Sequence, residues 1–127
     1  MEIRRILVVD AHEPTRQFME LAFPASEGWE LLATGDFEEA NIAMEQCLPD
    51  FAILDDWTAK RQKASAVVEI IAKEVPTAIT FDFLGSFDPI KARETGAKIA
   101  LEKPWNLSVL KSAAGGAEVE RFLVRSL

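Results

Sequence analysis

The sequence predicts an α/β fold, a doubly wound five-stranded parallel sheet with helices on both faces. Three observations carry that prediction. Ile6-Leu7-Val8-Val9 and Phe51-Ala52-Ile53-Leu54 are short, continuous apolar runs, as strands covered on both sides are, and each is followed by an aspartate. Runs of this kind alternate with segments whose apolar residues recur at helical spacing. Prolines and a glycine punctuate the joints, at Pro14, Pro24, Pro49, Pro76, Pro89 and Gly96. Strands and helices in strict alternation, joined by right-handed crossovers, build a parallel sheet.

Each element has its own signal. After the first strand, Pro14 suits the first turn of a helix whose apolar face is Phe18, Leu21 and Ala22, and Pro24 ends it. Trp29 to Ala33 reads as the second strand. Asp36 and Glu39 form a capping-box pattern, and Phe37, Ala40, Met44 and Cys47 then fall on one helical stripe, which places Cys47 in the core. Pro49-Asp50 precedes the third strand, which ends at Asp55. A polar stretch from Asp56 to Lys63 follows, and Ala64, Val67, Val68, Ile71 and Val75 trace the face of the next helix. Thr77 to Phe81 is the fourth strand. Asp88-Pro89 opens a helix that Gly96 closes, and Ile99 to Leu101 is the fifth strand. Asn106 or Ser108 caps the last helix, and Gly115-Gly116 is the one candidate hinge.

The chain has 127 residues, the size of one domain spanning positions 1–127, and 49% of them are hydrophobic against 28% charged. Acidic residues outnumber basic ones 21 to 14, a net charge of -7 that argues against nucleic-acid contact. No apolar run has the length of a membrane span, and Met1-Glu2-Ile3-Arg4-Arg5 lacks a signal-peptide pattern. A single cysteine rules out an internal disulfide, so a reducing cytoplasmic location is expected.

Chemistry in such sheets gathers where parallel strands finish. Asp10 and Asp55 each close a strand, and Lys103-Pro104 follows a third. Two carboxylates and an ammonium at one edge suit a divalent cation and a phosphoryl group. Read blandly, the acids are polar residues leaving a sheet and Lys103 is a structural ion-pair partner. His12, the sole histidine, reads as a solvated loop residue. Trp57 reads as a shield of the pocket, a partner contact or a cover on the core edge, and Trp105 as a packing residue; exposure of either points to an interface.

Ile6-Leu7-Val8-Val9-Asp10, Pro49 through Asp55, Gly96-Ala97 and Glu102-Lys103-Pro104, in that order and spacing, resemble a response-regulator receiver domain of two-component signalling. The resemblance runs from about Ile3 to the last helix, with Arg16 at a position that is often basic. It implies a flavodoxin-like receiver fold with Asp55 as phosphoacceptor and Lys103 pairing first with its carboxylate, then with phosphoryl oxygens. It implies Mg²⁺ held by Asp10, Asp55 and the backbone carbonyl of Trp57, and a cis Lys103-Pro104 bond. The implied partners are a histidine kinase or phosphotransfer protein and a downstream target. Output by protein contact is expected on the face of the Asp88-Pro89 helix, the fifth strand and the last helix, with Ile90, Arg93 and Ala100 as candidates. That last-helix face is also where a homodimer is expected.

The departures are specific. Ala11 stands where receivers carry a second acid, which weakens the Mg²⁺ site. Counting from Pro76 and Lys103 puts Phe81 at the usual Thr or Ser, and Ala100 at a usual aromatic switch position. Thr80, one residue earlier, is expected on the opposite face of the strand. The Phe81 ring is then expected to fill the room that the missing aromatic would enter. Ala59 replaces a usual proline, and Lys60-Arg61-Gln62-Lys63 lacks an Asp-Gly pair. Two readings follow: a phosphorylatable receiver with Asp55 as acceptor, and a phosphorylation-independent pseudo-receiver acting as a protein-binding module. A third, a hydrolase using Asp55 as nucleophile, lacks a general base and has Trp57 where a second acid belongs, so no enzyme is expected.

Overall fold

The computed structural model describes residues 4–82 and 85–125. Ile3, where the resemblance begins, lies outside the described residues. Five long strands occupy the predicted places: β1 (Arg4–Val9), β2 (Trp29–Thr34), β3 (Phe51–Asp55), β4 (Thr77–Asp82) and β5 (Ile99–Lys103). A sixth strand, β6 (Leu123–Val124), corrects the five-stranded expectation. The sheet order is β2-β1-β3-β4-β5-β6, and every pairing is parallel.

Helices cover both faces. On one side, α2 (Phe37–Gln46), α4 (Ser65–Glu74) and α5 (Pro89–Glu94) pack Phe37, Met44, Val68, Ile71 and Ala92 against Leu7, Val9, Leu54 and Ile79. On the other, α1 (Glu13–Ala22) and α6 (Leu107–Ala114) pack Met19, Leu110 and Ala113 against Ile6, Val8, Ile53 and Leu101. Alternate strand residues therefore feed two separate cores, which is why the central strands read as unbroken apolar runs. Among the described residues, no helix is long and apolar enough to cross a membrane.

Several local expectations change. The polar stretch after β3 contains a short helix, α3 (Asp56–Arg61). Asp36 caps α2 by accepting from the Glu38 amide, but Glu39 does not return to the cap; its carboxylate accepts from the Thr34 hydroxyl at 2.6 Å. Cys47 is exposed, because α2 ends at Gln46 and the backbone turns extended there, which breaks the stripe. Its thiol faces the Arg5 guanidinium at 2.9 Å. On α1, Met19 and Ala22 point inward, while Leu21 is 82% exposed and Phe18 lies against the Trp105 ring. Asn106 caps α6 by accepting from the Val109 amide, and the helix stops before Gly115-Gly116, where Gly116 takes a φ of +97°. The Lys103-Pro104 bond is cis.

Ala100 is not part of the exposed face expected for it, because β6 pairs against it and it is wholly buried. Ile90 remains exposed, and the Arg93 guanidinium lies over the Phe122 ring.

Candidate functional site

The parallel register brings the C-terminal ends of β1, β3, β4 and β5 to one edge of the sheet. Asp10 follows Val9, Asp55 ends β3 beside Thr80, and Lys103 ends β5 beside Asp82. Asp10 and Asp55 are both buried, at 3% exposure. The Lys103 ammonium sits between them, donating to Asp10 Oδ2 at 2.7 Å and lying 3.0 Å from Asp55 Oδ1.

The remaining carboxylate oxygens also have donors. Asp10 Oδ1 accepts from the His12 amide at 2.9 Å. Asp55 Oδ2 caps α3, accepting from the Thr58 amide at 3.0 Å and the Thr58 hydroxyl at 2.7 Å. The same hydroxyl accepts from the Ala11 amide at 3.0 Å, so Thr58, itself fully buried, ties the loop after β1 to the end of β3. The Arg16 guanidinium braces that loop by donating to the Asp10 carbonyl at 2.8 Å.

Burial raises the pKa of Asp10, with the charge of Asp55 adding to the effect, against the stabilising bonds from Lys103 and His12. Lys103 is pulled down by its burial, but its bond to Asp10 and the charges of Asp55 and Asp10 outweigh that and leave it raised. Burial also raises Asp56, although Lys60 pairs with it at 3.0 Å. Asp55 and Asp56 border a cleft of about 620 Å³ floored by Leu54, Val68, Ile79 and Ala92.

Thr80 corrects the expected register. It pairs with Asp55 on the same face of the sheet, and its hydroxyl approaches Asp55 Oδ1 at 3.4 Å. Phe81 faces the other way, paired with Glu102 and stacked on Phe87 at 4.0 Å between ring centres. The stacked pair, rather than the Phe81 ring alone, occupies that region. Counting from Pro76 misplaces the hydroxyl by one residue because it carries no information on how β4 aligns with β3. Thr58 gave no sequence signal as a threonine in a polar stretch; only the position of Asp55 at a helix start could have pointed to it. His12 caps nothing with its ring, which bonds Thr15 Oγ1 at 2.9 Å.

These residues do not fit Mg²⁺. Among the described residues, no three His, Cys, Asp or Glu side chains converge as a metal site. The acid missing at Ala11 is not replaced, and an ammonium lies where the two carboxylates would share a cation. Trp57 belongs to α3, whose start Asp55 caps, so its carbonyl runs along the helix away from Asp55 rather than into the pocket. A hard cation that gives up its water reluctantly finds no free set of carboxylate oxygens here. The Trp57 ring is 51% exposed and carries the Arg61 guanidinium over its face. Trp105 is half-buried, with the Lys103 ammonium 5.6 Å above its ring.

No protein-family model and no curated relative match the sequence. Solved structures do. NtrX from Brucella abortus, in complex with ADP, superposes with a TM-score of 0.74 at 24% identity over 89% of this chain. The chain spans only 25% of the NtrX chain. The receiver domain of the Francisella response regulator 1452 gives a TM-score of 0.73 at 20% identity, covering 88% of this chain and 93% of that one. A Thermotoga maritima response regulator gives 0.73 at 17% identity, covering 89% and 95%. With the six-stranded parallel order and the strand-end cluster in place, this chain has the fold of response-regulator receiver domains.

Proposed function

We propose that this chain is a receiver-type signalling module that acts through protein contact, and that its carboxylate site is a closed structural network independent of metal and phosphate. One observation carries the reading: all four carboxylate oxygens of Asp10 and Asp55 meet protein donors, with the Lys103 ammonium between the two groups. A nucleophilic oxygen must present a lone pair to its donor, and Asp55 is buried with both oxygens engaged. The sole histidine, His12, turns its ring to Thr15 rather than to Asp55, which favours a binding module over a hydrolase. Its partner is a downstream protein, met through exposed groups such as Trp57 and Ile90.

The second reading, Asp55 as phosphoacceptor for a histidine kinase or phosphotransfer protein, is favoured by the meeting of Asp10, Asp55 and Lys103 at one edge. Intact mass after incubation with Mg²⁺ and acetyl phosphate separates the two. The closed network predicts no phosphoryl adduct at any Mg²⁺ concentration. An adduct on the wild type that disappears in Asp55→Asn would overturn it and establish the acceptor.

A further inference from the structure

We infer that residues Ala117–Arg125 form an exchangeable arm through which two copies of this chain pair, each docking its β6 strand on the β5 edge of the other. The arm follows a reversal of the chain and touches the body through Val119, Phe122 and Val124, which pack against the two cores. α6 ends at Ala114, and the chain reverses at Gly116, in the left-handed region, with bonds from Gly116 to Ala113 and from Ala117 to Ser112. From there to Arg121 the arm is largely exposed. It spans a cleft of about 410 Å³ between itself and the α6 residues Ser108, Val109 and Ser112. Exposed backbone with few buried contacts sits at the low-stability end of a structure, so this stretch loosens before the docked strand does.

Its docked end is short but specific. Leu123 and Val124 pair with Ala100 and Leu101, and the Ala100 amide donates to the Phe122 carbonyl at 2.7 Å. Arg125 donates to Glu102 at 2.8 Å and lies over the Phe81 ring at 5.7 Å. Ala100, Leu101 and Glu102 are all buried, at 4% exposure or less. Lifting the arm away would bare an apolar strand edge and withdraw a cation from a buried carboxylate, both unfavourable. Trading the arm for the same arm of a second copy keeps every one of these contacts. The new terms are the path of the hinge and the freedom lost when two molecules associate, and a two-fold exchange of this kind closes on itself.

This inference does not depend on the signalling reading, since the arm lies away from Asp55 and its test reads oligomeric state rather than phosphorylation. Charge reversal provides the test. Glu102→Arg sets two cations against each other within one chain, and Arg125→Glu sets two anions. In an exchanged pair of the two variants, both bridges re-form with reversed or native sign. Light scattering on the equimolar mixture should report a 1:1 dimer, while each variant alone stays monomeric. A mixture that stays monomeric, or a dimer formed equally by Arg125→Glu alone, overturns the inference. Should Glu102→Arg fail to fold, deletion of Gly115 and Gly116 takes its place: it prevents the arm from turning back, so a dimer is expected and a folded monomer overturns the proposal.

Discussion

The Thr58 hydroxyl donates to Asp55 Oδ2 across 2.7 Å. Because the same oxygen accepts from the Ala11 amide, one side chain closes the gap between two strand ends that a metal would otherwise bridge. Thr58→Ala leaves the part-buried Ala11 amide and the buried Asp55 carboxylate each short of a partner, at about 1–3 kcal/mol for the buried group. Urea unfolding should show that loss, with Thr58→Val equally impaired despite its matching shape and Thr58→Ser close to wild type.

Lys103→Met removes the cation from two buried carboxylates at once. Breaking a buried pair by deleting one partner costs roughly 3–5 kcal/mol, since it strands uncompensated charge. Asp55→Asn should cost less, because Lys103 still holds Asp10 at 2.7 Å. Adding Asp55→Asn and Asp10→Asn to Lys103→Met should recover part of the stability, a coupling that a mutant cycle in urea measures directly.

The same residue sets an alkaline limit. Lys103 is raised above its ordinary 10.5, so the folded state holds this proton more tightly than the unfolded chain does. Its contribution is full below 10.5 and is lost as pH climbs through the higher folded value. Asp10 is also raised, which for an acid has the opposite meaning: stability from this group declines as pH rises past 3.8 and levels off above the folded value. Thermal midpoints should fall at the alkaline end, and Lys103→Met should flatten that limb. With no tyrosine in the chain, phenol ionisation does not overlap the window.

Restoring an acid tests whether the missing carboxylate limits Mg²⁺ binding. Ala11→Asp adds the carboxylate that the loop after β1 lacks. The variant should acquire a Mg²⁺-dependent change in tryptophan fluorescence, reported by half-exposed Trp57 two residues beyond Asp55, while wild type shows none. No response in a folded Ala11→Asp protein would mean that Lys103 and Thr58, rather than the missing acid, shut the site.

Ala100 has no exposed surface and lies against Leu123 of β6. Ala100→Tyr overfills that space, at about 1–3 kcal/mol, and should be relieved by moving β6 off the edge. Faster amide exchange at Leu123 and Val124 than at β4 would locate the strain there.

The buried strands were legible because residues covered on both faces are apolar, and the stretches Ile6-Leu7-Val8-Val9 of β1 and Phe51-Ala52-Ile53-Leu54 of β3 have nothing else. Asp10 and Asp55 were legible for a related reason: a charged residue directly after such a run marks the end of the strand, and Lys103 stands two residues past the third run. What could not be read depends on alignment between elements. Whether Thr80 or Phe81 lies beside Asp55 is decided by the β3–β4 register, which leaves no trace in either strand alone. Cys47 kept the helical period on paper, but periodicity does not show that α2 stops one residue short. β6 has two residues and owes its existence to the β5 edge and to Arg125 reaching Glu102, contacts 23 positions apart.

That small sixth strand has a protective effect. Without it, the sheet would finish on five residues of β5, four of them sheltered, and such a margin is an open invitation to fibre growth. A terminal ribbon of two residues offers a stray chain almost no length to zip onto, so the molecule is discouraged from stacking sideways at the rim where its most apolar backbone would otherwise lie bare.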